Sequence, residues 1–232
     1  MFFPFYFDPT MIILLPALAL AMYAQAKIQS TFAKYLRVRA SSGLTGAQVA
    51  RRLLDNHGLY DVKIERIAGR LTDHYDPRTK VLRLSDEVYS GSSLASLGVA
   101  AHETGHAIQH DLGYVPLSIR NSIVPIANIG SQMAFPLFFM GLIFRSGNLM
   151  YIGILAFAAA VLFQLVTLPV EFNASSRAIE ALEAGGFIMR EEVPHTRKVL
   201  SAAALTYVAA TVMAVLQLLR LLAIAGIYRD ND

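Results

Sequence analysis

The chain has 232 residues, 55% hydrophobic and 16% charged, which is too apolar and too weakly charged for an ordinary soluble domain. It contains no cysteine, which excludes disulfides, zinc ribbons, thiol catalysis and iron–sulfur ligation. The net charge of +3 is modest, and with no basic stripe and no disordered tail a nucleic-acid partner is not expected.

In chain order, the first apolar block covers residues 11–26 and follows an aromatic cluster, Phe2, Phe3, Phe5, Tyr6 and Phe7, suited to a membrane interface. Ala24-Gln25-Ala26 resembles a signal-peptide cleavage site, but no basic residue precedes the apolar core, so a retained span is expected. Lys27, Lys34, Arg37, Arg39, Arg51 and Arg52 follow it. By the positive-inside rule they place residue 27 onward in the cytoplasm and the amino terminus outside. Thr45 is positioned to cap a helix through Gln48, Val49, Leu53 and Leu54 that ends near Gly58. Val62, Ile64 and Val81–Leu84 predict short strands, with Asp76-Pro77-Arg78 as the turn between them. Ser85 or Ser92 is expected to open the next helix. Apolar blocks at 123–144 and 149–170 are separated only by Arg145-Ser146-Gly147-Asn148, which predicts a tight helical hairpin. A polar stretch, 171–198, precedes a last apolar block at 200–227, in which Arg220 is expected to snorkel or to face a partner helix. Each block is long enough to span a bilayer, so four spans are predicted.

The helix after the strands carries His102-Glu103-Thr104-Gly105-His106. Residues four apart lie on one helical face, so two imidazoles can share one tetrahedral zinc while the glutamate serves as base for an activated water. Two crossings between residues 122 and 170 return the chain to the same side, so a third ligand is available from the segment starting at Glu171. Glu180, Glu183, Glu191 and Glu192 are its rivals, but read as the solvated face of a helix. Glu171 itself also fits an ordinary interfacial acid. His110 continues the spacing, yet eight residues of helix rise about 12 Å, too far for three imidazoles to meet one ion; it is expected to be a polar helix-end residue. Gln109 and Leu112 occupy the places where the metzincin pattern needs Gly and His. His57, His74 and His195 read as surface histidines.

Ala101-His102-Glu103-Thr104-Gly105-His106-Ala107-Ile108-Gln109-His110 and Leu168-Pro169-Val170-Glu171-Phe172-Asn173-Ala174-Ser175 resemble the YugP-type bacterial membrane zinc metallopeptidases. Tyr75-Asp76-Pro77 and the run 203–210 extend the resemblance over most of the chain. A more distant similarity links it to HtpX and the CAAX-prenyl proteases, whose pattern is H-E-x-x-H-x-x-x-x-D followed by E-x-x-A-D. His102, Glu103, His106 and Asp111 fit the first part and Glu171 and Ala174 the second, while Ser175 replaces the final Asp. That departure leaves Asp111, Asn173 and Ser175 as alternatives for holding a ligand in place. The resemblance implies a membrane α-helical protein with four transmembrane helices and a small α+β zincin-like cytoplasmic domain.

The expected organisation is an N-terminal transmembrane helix (1–26), a cytoplasmic zincin-like domain with the motif helix (27–121), and a transmembrane hairpin (122–170). A cytoplasmic helix supplying the third ligand (171–199) and a C-terminal transmembrane helix and tail (200–232) complete it. The expected activity is that of a zinc endopeptidase in the plasma membrane, or cell inner membrane, with its active site facing the cytoplasm. His102, His106 and Glu171 would hold Zn²⁺, and Glu103 would be the general base acting on protein or peptide substrates. Arg177 and Tyr207 are candidates for stabilising the transition state; a surface charge and an interfacial tyrosine are the plainer readings. By analogy with zincins, the strand at Val81–Leu84 is expected at a sheet edge, where an extended substrate could add to it. The alternatives are a site-2-type intramembrane protease and a non-catalytic zinc-binding membrane scaffold. Asp111-Leu112-Gly113 lies too close to the motif to supply a site-2 ligand, and an intact Glu103 argues against a scaffold.

Overall fold

The computed structural model describes residues 9–229; the aromatic cluster Phe2–Phe7 lies outside them. Contacts divide the chain into two units. The first comprises the described parts of Met1–Tyr23, Arg120–Val166 and Val208–Asp232, and the second comprises Ala24–Ile119 and Thr167–Tyr207.

The helices are α1 (Leu15–Tyr35), α2 (Gly46–Asn56), α3 (Asp86–Tyr89), α4 (Leu94–Asp111), α5 (Val115–Ile143), α6 (Gly147–Ala184) and α7 (Val193–Arg229). The strands are β1 (Lys63–Ile67), β2 (His74–Asp76) and β3 (Val81–Ser85). Among the described residues four helical segments are long and apolar enough to cross a membrane: Pro9–Tyr35, Val115–Ile143, Gly147–Ala184 and Val193–Ile227. Only 17–28% of the apolar window of each is buried, which leaves most of its surface for lipid. The protein is therefore mostly helical, with a small mixed sheet.

In the first unit Phe138, Phe157, Met150 and Leu221 form a buried cluster. Close helix approach needs small residues there: a Cβ on Gly130 would meet the Ala156 carbonyl oxygen at 2.4 Å. Arg220 donates from Nε to Thr10 Oγ1 at 3.1 Å, so this late cation faces another helical segment.

In the second unit α2 and α4 pack together and against the three-stranded sheet. The core includes Phe32, Leu53, Leu82, Leu84, Leu97 and Leu182. Thr45 and Gln48 form the expected capping box on α2. The sheet order is β1-β3-β2, with β1 parallel and β2 antiparallel to β3. This corrects the expectation that Val81–Leu84 is an edge. β3 is central, and Val81, Leu82, Leu84 and Ser85 are all buried, as a strand covered on both faces demands. β2, absent from the sequence reading, ends on Asp76, the first residue of the expected turn; its register pairs Tyr75 with Leu82.

The motif helix is opened neither by Ser85 nor by Ser92. Ser85 precedes the short α3, and Ser93 caps α4 by accepting the Ser96 amide at 3.0 Å. The polar stretch after residue 170 is not a separate helix. Pro169 costs α6 one backbone bond, yet the helix continues to Ala184. Glu171, Asn173 and Ser175 thereby stand in helical register with the end of the apolar run.

Candidate metal centre

Two helices build the site. On α4, His102 and His106 stand one turn apart, with ring centroids 4.8 Å apart and the rings nearly perpendicular. On α6, Glu171 is buried to 3% exposure. Its Oε2 lies 3.3 Å from His102 Nε2 and 3.6 Å from His106 Nε2. Both contacts are longer than the 2.7–2.9 Å or so of a strong charge-assisted hydrogen bond. They match the separation of about 3.4 Å between ligand atoms that share a tetrahedral zinc at about 2.0–2.1 Å. Among the described residues these three side chains are the group of donors that converges closely enough for one metal ion. Two nitrogens and one carboxylate oxygen are also the donor chemistry zinc takes. A carboxylate this deeply buried needs positive charge nearby, and a metal cation held at that point would supply it.

The approach depends on Gly105. A Cβ there would sit 2.8 Å from the carbonyl oxygen and 3.3 Å from the Cα of Ala174, so glycine lets the α4 and α6 backbones come close enough for Glu171 to meet the histidines.

The other imidazole nitrogens are held from behind. His102 Nδ1 lies 3.2 Å from Ser175 Oγ, and His106 Nδ1 lies 3.0 Å from Gln109 Oε1. Gln109 is fully buried and donates from Nε2 to the Val170 carbonyl and to Asn173 Oδ1, both at 2.9 Å. Asn173 Oδ1 also accepts from Arg177 Nε at 2.8 Å. These bonds fix the polarity of the chain. Gln109 must present its oxygen to His106, so His106 donates from Nδ1 and its Nε2 is the nitrogen left to face Glu171. Burial pushes the His106 pKa down, but the hydrogen bond and charge of Glu171, with Glu103 nearby, outweigh it and hold the pKa above the ordinary value.

Glu103 is buried and lines a cavity of about 530 Å³ together with His102, Asp73, Arg70 and Tyr207. Asp73 accepts from the Ser85 amide at 2.7 Å and from the Ser85 hydroxyl. Burial raises its pKa, Ser85 opposes the rise, and the charge of Glu103 adds to it.

Of the residues singled out in the sequence, His102, His106, Glu171 and Ser175 come together. Asn173 acts through Gln109, and Tyr207 stands in the Glu103 cavity. Arg177 is spent on Asn173 and lines a different cavity, beside His57 and Glu180. Asp111 is exposed, and its charge is felt by Tyr75 and Lys80. His110 pairs with Tyr75, whose hydroxyl lies 3.0 Å from Nδ1; burial first, then nearby carboxylates, push the Tyr75 pKa up to about 12, so the phenol stays protonated. Glu180, Glu183 and Glu191 are exposed, while Glu192 accepts from Ser41 and the Met189 amide. Sequence reasoning overlooked Gln109, although it lies three residues after His106 on the same helix face. It also overlooked Asp73 and Arg70, which come from an irregular loop without periodicity.

A family model described as "Putative neutral zinc metallopeptidase" matches residues 10–226. The chain belongs to this family. A Bacillus subtilis (strain 168) protein named "Putative membrane protease YugP" is 52% identical over 216 residues, covering 93% of this chain and 96% of that protein. No solved structure matches. For a zinc metallopeptidase family, the convergence of His102, His106 and Glu171 is the arrangement that fits the metal.

Proposed function

We propose that this protein is a multi-pass membrane zinc endopeptidase whose active site faces the cytoplasm, with His102, His106 and Glu171 as metal ligands and Glu103 as general base. The observation that carries this reading is the meeting of two imidazole Nε2 atoms with one buried carboxylate oxygen at separations suited to zinc. Zinc bound there would supply the Lewis acidity that makes water a nucleophile near neutral pH and polarises the scissile carbonyl.

The chain's own groups do the rest. Glu103 accepts the proton of the attacking water and passes it to the leaving amine, so a C–O bond forms, the amide C–N bond breaks and the proton ends on nitrogen. Gln109 and Ser175 keep the imidazoles oriented. Tyr207, which shares the Glu103 cavity, is better placed than Arg177 to donate to the developing oxyanion, because Arg177 already serves Asn173.

The test is metal analysis of the purified protein paired with cleavage of an unfolded protein, with and without chelator. One zinc per chain and chelator-sensitive cleavage are expected. His106→Ala should lose most of the zinc; full occupancy in that variant would refute the ligand set. Glu103→Gln should keep zinc near wild type while cleavage falls by roughly 10³-fold or more. Near-normal cleavage by a zinc-replete Gln variant would refute the base assignment.

A further inference from the structure

The walls of the Glu103 cavity come from elements of different polarity. One side is α4 and the loop before β2, contributing His102, Glu103 and Asp73. The other is one face of α1, through Gln25 and Gln29, and one face of α7, from Val199 to Tyr207. Both helices belong to segments apolar and long enough to cross a membrane.

Their charges mark where the polar boundary falls. On α1 the cavity residues bracket Lys27, the first charge after the apolar run. On α7 they begin directly after Arg197 and Lys198, and the chain carries no further charge until Arg220. That uncharged run is close to the minimum of about 20 residues needed to cross the hydrocarbon core. At 1.5 Å per residue, Tyr207 stands about 12 Å beyond Val199 toward the apolar end. The cavity that holds the candidate base therefore begins at the charged collar and extends along a wall that continues into a span. Its rim adds Leu71, exposed and in the left-handed region at φ 57°, a conformation costly for a leucine.

A soluble substrate has no use for such a wall. A polypeptide leaving the membrane has the matching need. Where its own helix ends, its backbone N–H and C=O groups lose their partners at a depth where water is scarce, and each unmet group costs several kcal/mol. Gln25, Gln29 and Tyr207 put polar side-chain groups along the apolar wall at that level, and Thr206, whose hydroxyl donates to the Ala203 carbonyl, adds an acceptor. A volume of about 530 Å³ suits a few residues of extended chain.

Resting on the peptidase reading above, we propose that the substrate is a membrane-anchored polypeptide, cut within a few residues of the point where its own span leaves the bilayer.

The full-length zinc-loaded protein, in proteoliposomes, is given one cleavable polar sequence in three forms: soluble, joined directly to a transmembrane anchor, and joined through a flexible spacer of roughly 20 residues. Cut positions are read by mass spectrometry. The anchored forms should be cut at least about tenfold faster than the soluble one. In both anchored forms the cuts should stay near the anchor, falling in the spacer when it is present. Cuts that move outward with the polar sequence, or equal rates for soluble and anchored forms, overturn the proposal while leaving the peptidase reading intact. Absence of cleavage in all three, with zinc bound, overturns both. Ala203→Phe and, separately, Thr206→Leu alter the α7 wall. Retained zinc with at least about a fivefold loss of anchored cleavage is expected from each. Unchanged cleavage of the anchored form by both variants also overturns it.

Discussion

At the scale of single residues, the ligands are less informative than what stands behind them. Arg177 donates to Asn173, Asn173 accepts from Gln109, and Gln109 accepts from His106, so a half-buried cation two residues removed helps set the tautomer of a buried imidazole. Gln109→Leu keeps the bulk but leaves the Nδ1 proton of His106 and the Val170 carbonyl without that partner. Zinc affinity should weaken by about 10–100-fold, measured by competition with a chromogenic chelator. Gln109→Glu still accepts from Nδ1 but turns a carboxylate on two acceptors, so it should fall between wild type and Leu. Asp73 gives a pH-dependent prediction. Its pKa is raised in the fold, so its contribution to stability is present below the unfolded value and lost as pH rises through the folded one. Asn can still accept from Ser85 and does not titrate. The melting temperature of Asp73→Asn relative to wild type should therefore rise as the pH increases above about 4. His102, Glu103 and His106 were legible from spacing alone. Glu171 needed the family resemblance and the membrane topology, and Asp73 left no trace because a loop residue reaches its place through the path of the chain.

At the scale of elements, the site is a contact between two helices, and its tolerance is set by a missing methyl group. Gly105→Ala would place Cβ 2.8 Å from the Ala174 carbonyl oxygen, and neither backbone can yield without moving Glu171 relative to the histidines. Overpacking of this kind costs about 1–3 kcal/mol. Zinc affinity should fall at least about tenfold, and thermal stability should drop even without metal. A Gly105→Ala variant with wild-type affinity would show that α4 and α6 slide freely. The capping box of α2 and the hydrophobic runs were readable because their signals are local. The order of the sheet was not, since a strand's place beside its neighbours depends on long-range pairing. The continuous burial of Val81, Leu82, Leu84 and Ser85 is the physical sign of a central strand. The expectation of a separate helix from residue 171 failed because composition turns polar there while the helix does not end: α6 runs unbroken to Ala184 and carries Glu171 inward.

At the scale of the whole molecule, the remaining question is which side of the membrane holds the candidate centre. Four apolar segments and the placement of lysine and arginine bear on it together. Lys27 and Lys34 fall late in the first segment, with Arg37 and Arg39 just after it, and Arg177, Arg190, Arg197 and Lys198 run from the end of the third segment to the start of the fourth. The link between the second and third segments carries only Arg145. Charges close to the ends of spans are the ones that set orientation, so the topology proposed above, with the first two groups of charges in the cytoplasm and Arg145 outside, is the arrangement to test. Because the chain has no cysteine, single cysteines can be introduced without a background signal. Asn56, Glu191 and Asn148 are all exposed in the fold, so labelling depends on membrane side and not on burial. In intact cells an impermeant thiol reagent should label Asn148→Cys and spare Asn56→Cys and Glu191→Cys, and permeabilisation should make all three reactive. The opposite pattern would put the His102–His106–Glu171 centre outside. Labelling of Asn56→Cys alone with Glu191→Cys protected would mean an odd number of crossings between them, which would separate His102 from Glu171 and remove the metal centre altogether.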